Sequence, residues 1–542
     1  VAKDRQITQL AQPWLPPLKE RIYLKKTAFQ KAWNSSASDL RFAVGMADMP
    51  YAQKQEAVSI DLIHDGHVAL YGGPSTGKTT FLQTAILDLV RHYSPRDLEL
   101  YLIDFGTNGL SVFRSFPQVA DTFSMDQPDK LIKLIQRLKA LHSQRKRLLA
   151  KDGAATLEVY QELTGKHLPH IVVVLDNYDA MKNEAFETAL VNELIILARE
   201  GIALGMHLML TAGRQLNVRI ALHSNIKMQL VLHQNDSSDI TNVVGSTPYR
   251  HMDDIKGRAL MAREEVDMVQ FYLPLQAKDS AAFLQALKTE AKQMQEAWTG
   301  DLPRAIPMVP DILVLEEFRR RKDYQQALHD GHLALGLHKD TVELISWKRR
   351  QSNLLYLSND QEHQKLFLSY ALENLDLSDE QVFVFAPPLH LLPEDDRYEL
   401  VSDIKEISEL LEASEFRLKE KVKANDREKE NLFVFYDFAN LISQLDRKAQ
   451  HHLTYILDKG RQAGYSSLIL SDTVLANRID VASKFVKTTK QMVFDMKLGD
   501  QGILTPSNKP KQESPLGFQE QWYLEDKKAS KMQVTYIGED NE

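Results

Sequence analysis

The octet Gly72-Gly73-Pro74-Ser75-Thr76-Gly77-Lys78-Thr79 decides the fold of this sequence. It fits G-x-x-x-x-G-K-[ST], and its surroundings suit that reading. Residues 67–71 before it are an apolar run of strand length, and residues 80–90 after it read as a helix. The glycines let successive backbone N–H groups converge on an anion, and the start of the helix adds the positive end of its dipole. In that chemistry Gly72, Gly73, Pro74, Ser75, Thr76, Gly77, Lys78, Thr79 and Thr80 cradle the phosphates of ATP. Lys78 reaches the β- and γ-phosphates, and the Thr79 hydroxyl ligates Mg2+. The competing reading is a glycine-rich turn that binds nothing, and the flanking strand and helix weigh against it.

Such a loop works with a buried strand ending in an acid. Ile171-Val172-Val173-Val174-Leu175-Asp176 is one, with Asp176 placed to hold Mg2+ through water. The plainer alternative is a strand-end aspartate that caps the next turn. The following position, where a water-activating glutamate often stands, holds Asn177. An amide orients a water but cannot accept its proton. The sequence therefore supports ATP binding and leaves hydrolysis open; Asp179 and Glu184 are nearby acids without the usual spacing.

Around this pair, short apolar segments at 67–71, 98–104, 171–175, 207–210 and 227–232 alternate with helical patterns. One such helix spans about 129–150, where Leu131, Leu134, Ile135, Leu138 and Leu141 share a face. The alternation predicts a mostly parallel sheet with helices on both faces, an α/β fold of the P-loop type. Residues 1–40 read as a linker stiffened by Pro13-Trp14-Leu15-Pro16-Pro17, and 41–275 as the first domain. A helix and a Pro-punctuated linker follow over 276–330. A second α/β region then runs from 331 to 542, with strands near 353–357, 381–385, 432–436 and 468–470. Within it 403–430 is a charge-dense helix and 506–515 a loop.

Composition narrows the function classes. The 542 residues carry 66 Lys and Arg against 74 Asp and Glu, a net charge of −8, which is the wrong global sign for gripping phosphate backbones. The basic helix residues Lys139, Arg145, Lys146, Arg147 and Lys151 read first as a solvated face. With no cysteine there are no disulfides, thiolate metal sites or cysteine nucleophiles. No apolar run approaches membrane-spanning length.

The two halves look like copies. Gly45 precedes the first loop as Gly336 precedes Ser358. Residues 81–89 match 367–375, the strand ending at Asp176 matches one ending at Asp437, and Gly201-x-x-x-Gly205 matches Gly460-x-x-x-Gly464. The second half lacks the loop glycines: Ser358-Asn359-Asp360-Gln361-Glu362-His363-Gln364-Lys365 stands in their place. Asp360 and Glu362 would repel phosphate there, so this half reads as a degenerate ATPase domain.

Further motifs carry a family resemblance. Gly205-Met206-His207-Leu208-Met209-Leu210-Thr211, then Arg214, Ser224-Asn225-Ile226 and Gly257-Arg258, resemble the FtsK/SpoIIIE ATPases. Tyr101-Leu102-Ile103-Asp104-Phe105-Gly106-Thr107-Asn108-Gly109, with the 14–17 linker, is closer still to the EssC/YukBA-type ATPases of the type VII (ESX, WXG100) secretion system of Firmicutes. The resemblance covers essentially the whole chain. It implies the last two of three tandem ATPase domains of a membrane-anchored parent, at the cytoplasmic face of the bacterial membrane. It also implies WXG100-type substrates, other secretion components as partners, hexameric self-assembly, and no nucleic acid. An FtsK-like DNA translocase and a non-hydrolysing ATP-bound scaffold are the alternatives. Arg214 takes the place of a sensor arginine, although its turn has one residue more than T-Q-R-P. The arginine that often precedes G-I-H-L is missing from Gly201-Ile202-Ala203; Arg199 is the nearest substitute, and Arg461 in the second half keeps it.

Overall fold

The computed structural model describes residues 15–33, 39–377, 380–388, 392–393, 395–424, 431–508, 513 and 515–537. Pro13, Trp14, part of the 1–40 linker, the end of the 403–430 helix and much of the 506–515 loop lie outside the described residues. The chain divides into two compact units between Ile306 and Pro307.

The first unit contains β1 (Ile22–Tyr23), β2 (Arg41–Met49), β3 (Lys54–Asp61), β4 (Val68–Tyr71), β5 (Leu98–Asp104), β6 (Val119–Ser124), β7 (His170–Asp176), β8 (Met206–Ala212), β9 (Met228–Leu232), β10 (Arg258–Ala262) and β11 (Val266–Leu273). Their order in the sheet is β3-β2-β11-β10-β9-β4-β8-β7-β5-β6, with β1 added beside β11. Six neighbours, β9-β4-β8-β7-β5-β6, run parallel. Alternate residues of these strands face opposite sides. Val172 and Val174 join one core beneath the helix Lys78–His92, while Val173 and Leu175 join the other beneath Pro128–Lys151 and Glu187–Glu200. Burial on both faces is why β4 and β7 read as continuous apolar runs.

The sequence pattern had no signal for the antiparallel flank. From β9 outward, β10, β11, β2 and β3 pair antiparallel. In β2 and β3 exposed and buried residues alternate, the one-sided pattern of strands with a face toward solvent. The helix Ser280–Ala297 buries Leu287, Ala291 and Met294 in the first unit's core, and its Glu290 takes a bidentate bond from buried Arg91 at 2.6 and 2.8 Å.

The second unit contains β12 (Leu333–His338), β13 (Leu344–Trp347), β14 (Leu354–Leu357), β15 (Gln381–Phe385), β16 (Glu399–Val401), β17 (Asn431–Phe435), β18 (Tyr465–Ser471), β19 (Gln491–Phe494), β20 (Glu520–Glu525) and β21 (Lys528–Gln533). Their order is β13-β12-β21-β20-β19-β14-β18-β17-β15-β16. Strand for strand this is the topology of the first unit. The copies share even an irregularity. The register of β2 against β3 shifts between Ala43 and Gly45, and that of β12 against β13 between Ala334 and Gly336. A Cβ on Gly45 would stand 2.1 Å from the Gln270 carbonyl oxygen, and one on Gly336 2.3 Å from that of Gln533. Glycine is required at both places by close approach of a neighbouring backbone.

The shared topology corrects one correspondence read from sequence. Ile171 donates its N–H to the Gly205 carbonyl and Asn431 its N–H to the Gly464 carbonyl, with both glycines in the left-handed region. Counting from these anchors, Asp437 matches Asn177, and both have positive φ, 48° and 68°. The residue that matches Asp176 is Tyr436. Aligning two apolar runs by their last acid slips the register by one, because an apolar run carries no internal marker.

Candidate functional site

At the C-terminal end of β4 the chain turns through Gly72 and Gly73, whose N–H groups donate to the carbonyls of Ala212 and His233. Ser75 and Gly77 take positive φ, 59° and 119°, which curls the loop back over the start of the helix Lys78–His92. The first N–H groups of that helix have no partner within it. Gly257, itself at φ 73°, donates its N–H to the Thr76 carbonyl at 2.8 Å and so braces the loop from the side. Arg258 beside it is buried and bonds Gln270 and the Leu18 carbonyl; its part is structural.

The Lys78 ammonium lies on the carbonyls of Gly72 and Gly73 at 2.7 and 2.8 Å. Partial burial lowers its pKa, and the nearby charges of Asp176 and Asp179 oppose that shift. The Thr79 hydroxyl donates to Asp176 Oδ2 at 2.6 Å, joining the loop to the end of β7. Asp176 is 2% exposed, and burial raises its carboxyl above the usual range against two hydroxyl bonds that lower it. The second of these comes from Thr211, whose Oγ1 donates to Asp176 Oδ1 at 2.6 Å and accepts the Asn177 N–H at 2.9 Å. A hydroxyl and a carboxylate side by side make a hard-oxygen pair of the kind Mg2+ selects.

The structure thus brings the loop, Lys78, Thr79, Asp176 and Asn177 to one place. Asn177 turns its amide toward the Phe105 carbonyl at 3.4 Å, and its left-handed φ of 68° suits an asparagine. Arg214 is held elsewhere: its Nε pairs with buried Asp239 at 3.1 Å. Asp179 accepts the Gly213 N–H and the Asn217 amide, fastening the turn after β8. Arg199 pairs with its neighbour Glu200, and Arg461 bonds the Leu457 carbonyl of the helix just before it. The basic helix is partly structural too. Arg145 is buried and donates to the carbonyls of Leu204, Gly205 and Pro169, while Lys146 pairs with Glu200.

Two residues of the site escaped the sequence reading. Thr211 belongs to a motif already quoted, but nothing in the motif says where its hydroxyl points. Asp104 ends β5 as Asp176 ends β7, and the two are register partners across the strands. Its carboxylate accepts the N–H groups of Gly106 and Leu110 at 2.9 and 2.8 Å, closing the loop 105–110. That loop lies on the site: Gln83 bonds the Gly109 carbonyl, and a Cβ on Gly109 would stand 2.5 Å from the Thr79 methyl. A strand-end acid following an apolar run was the available signal at Asp104.

In the second unit the facing groups are replaced together. Gln364 stands for Lys78 and donates to the Ser358 carbonyl as Lys78 does to Gly72. Lys365, at the Thr79 position, pairs with Glu362. Tyr436 stands for Asp176, Leu470 for Thr211 and Ala386 for Asp104.

Comparison with known proteins agrees with this fold. The FtsK/SpoIIIE family profile matches residues 23–263. The type VII secretion system protein EssC of Staphylococcus aureus strain MRSA252 is 30% identical over 514 residues, covering 92% of this chain and 34% of that protein. The ESX secretion system protein EccC of Geobacillus thermodenitrificans is 32% identical over 351 residues, covering 64% of this chain and 23% of that protein. This chain therefore spans about a third or less of the curated relatives it matches. Among solved structures, EssC (ATPases 2 and 3) from Geobacillus thermodenitrificans matches with a TM-score of 0.82 at 25% identity, over 96% of this chain and 99% of that one. With both tandem units and their order shared with EssC, the chain belongs to the FtsK/SpoIIIE family and is of the EssC type.

Proposed function

We propose that this chain is a nucleotide-dependent module of a type VII protein export machine, in which the first unit binds ATP with Mg2+ and the second unit does not. The observation that carries the reading is the junction of Thr79 with Asp176, 2.6 Å apart beneath a curled glycine loop with Lys78 at its mouth. Ser75 and the following N–H groups hold the phosphate oxygens, Lys78 leaves the Gly72 and Gly73 carbonyls for the terminal phosphates, and Thr79 and Asp176 hold the cation. When bound, Mg2+ supplies charge neutralisation of the phosphates.

The type VII context follows from the EssC likeness. The cargo that fits it is a small helical WXG100-type protein, handled by a membrane-anchored parent that assembles with itself and with other secretion components. Among the described residues no helix is long and apolar enough to cross a membrane. Nucleotide state would alter the loop 105–110 and the turn after β8, both of which bear on the site. A scaffold that holds ATP without turning it over is separated from a motor by measuring turnover.

Equilibrium binding of MgATP to the full chain, by calorimetry, tests the reading. One nucleotide per chain is expected, abolished by Lys78→Ala. A parent that binds one nucleotide and keeps it in Lys78→Ala refutes the first-unit assignment, and a parent that binds two and keeps one in Lys78→Ala refutes the reading of Gln364 and Tyr436.

A further inference from the structure

If the first unit turns over nucleotide, some group must receive the proton of the attacking water, and Asn177 cannot. We propose that Asp104 is that group: the carboxylate at the end of β5 holds the water and takes its proton. The inference rests on the nucleotide-binding reading above.

Three observations converge on Asp104. Its backbone is in register with Asp176, so the two acids emerge side by side from neighbouring parallel strands at the same end of the sheet. The space they share can be located. A Cβ built on Gly106 would stand 3.4 Å from Asp104 Oδ1, 3.7 Å from Asp176 Oδ2 and 4.0 Å from Asn177 Cβ. One small volume therefore touches both carboxylates and the side chain at the position where an acid is missing. Asp104 is 5% exposed and anchored by two backbone N–H groups, which fix its orientation while leaving lone pairs to accept from a water.

The internal copy changes in step with this assignment. Positions that serve the fold alone are kept in the second unit: Gly45 and Gly336, Gly205 and Gly464, Phe81 and Phe367. Positions that serve the site change together, and Asp104 changes with them, to Ala386.

The step balances without a further reagent. The water oxygen forms a bond to the terminal phosphorus of the nucleoside triphosphate. The bond from that phosphorus to the bridging oxygen breaks, and the electron pair leaves with the diphosphate. The water proton passes to Asp104 and from there to phosphate or solvent. Asp176 stays with Thr79 in the metal-holding pair.

The test uses the full chain and follows MgATP affinity together with phosphate release. Asp104→Asn is expected to bind MgATP within about 3-fold of the parent and to lose at least about 100-fold in kcat with KM little changed. Adding Asn177→Asp to that variant is expected to restore turnover at least about 10-fold. Aspartate is acceptable at that backbone, since Asp437 holds the equivalent position at φ 48°. Asp104→Asn weakens one of the two loop bonds, so Gly106→Ala gives an independent arm. Its methyl group meets only ordinary contacts, leaves every hydrogen bond in place and fills the shared volume. It is expected to bind MgATP normally and to lose turnover. Turnover retained by Gly106→Ala, retained by Asp104→Asn, or not rescued by Asn177→Asp overturns the proposal. So does a parent that binds MgATP and releases no phosphate. In each of these outcomes binding that depends on Lys78 stands, whereas a parent that binds no nucleotide overturns both readings.

Discussion

Replacing Thr211 with valine removes one hydroxyl from the first unit and nothing else of its volume. The side chain is fully buried, so water cannot stand in for the lost group. The hydroxyl is the acceptor for the Asn177 N–H at 2.9 Å and the donor to Asp176 Oδ1 at 2.6 Å. Leaving a buried N–H without a partner costs about 1–3 kcal/mol, and losing a bond to a charged group about 1.5–3 kcal/mol. The two losses share one atom and add only in part, so Thr211→Val should destabilise the strand ends of β7 and β8 by about 3 kcal/mol. Thr211→Ser keeps the hydroxyl and gives up a buried methyl, at about 1 kcal/mol. The carboxyl of Asp176, already raised by burial, loses one of the two bonds that hold it down. Its folded-state pKa therefore rises further in the valine variant. A raised carboxyl is penalised at high pH and relieved as protons bind, so the gap from the parent narrows as the pH falls. Hydrogen exchange of the β7 and β8 peptides, read by mass spectrometry in the full chain, isolates this region from the second unit. Equal opening free energies for Thr211→Val and Thr211→Ser would refute the argument, because the hydroxyl would then carry none of the stability ascribed to it.

Two further predictions concern the fold. His67 and His170 are pushed down to about 4 by burial. Because the unfolded chain takes up protons first, the first unit should lose stability as the pH falls from about 6.5 toward about 4, by up to about 3 kcal/mol for each histidine. Denaturant melts resolved by exchange of first-unit peptides check this; an equal loss between pH 7 and pH 5 in His67→Gln and the parent would contradict the part assigned to His67. Gly45→Ala should destabilise the first unit and Gly336→Ala the second, each by about 3 kcal/mol, since the new methyl meets a backbone carbonyl that cannot yield. Either variant melting within about 1 kcal/mol of the parent would show that the strand register relaxes at little cost.

What was legible in the sequence follows the physics of burial. The parallel strands β4, β5, β7, β8 and β9 are covered on both faces, and their apolar runs announced them. The helix Pro128–Lys151 carried its apolar face at a clear spacing. The antiparallel flank was silent, because half of each strand faces solvent and its turns lack a strong Gly or Asn signature; the turn between β2 and β3 runs through Pro50-Tyr51-Ala52-Gln53. At the site, Lys78, Thr79 and Asp176 were legible because each sits in a motif with a fixed spacing. The pairing of Arg214 was hidden for the opposite reason: no spacing in its turn announces Asp239, which meets it from a helix about 25 residues on. Asp104 and Thr211 act through contacts between strands distant in sequence, and only register could join them.

The comparison of the two units also explains why the site could only be lost as a set. In the first unit burial works against charge on Lys78 and on Asp176 alike, while the opposite charge of the other works in its favour. Remove the lysine alone, and Asp176 and Asp104 remain as two buried acids without a cation. Remove the two acids alone, and Lys78 is left half-buried over carbonyls. Each intermediate leaves an uncompensated charge, which is costlier than either the full set or none of it. The second unit has reached the neutral end of that choice, with Gln364, Tyr436, Leu470 and Ala386 in the four places. Gln364 still donates to the carbonyl that the lysine would have used, so the turn keeps its shape after the reason for its charge has gone. The glycines at 45 and 336 needed no such agreement between positions, because the backbone alone demands them, and they persist in both copies.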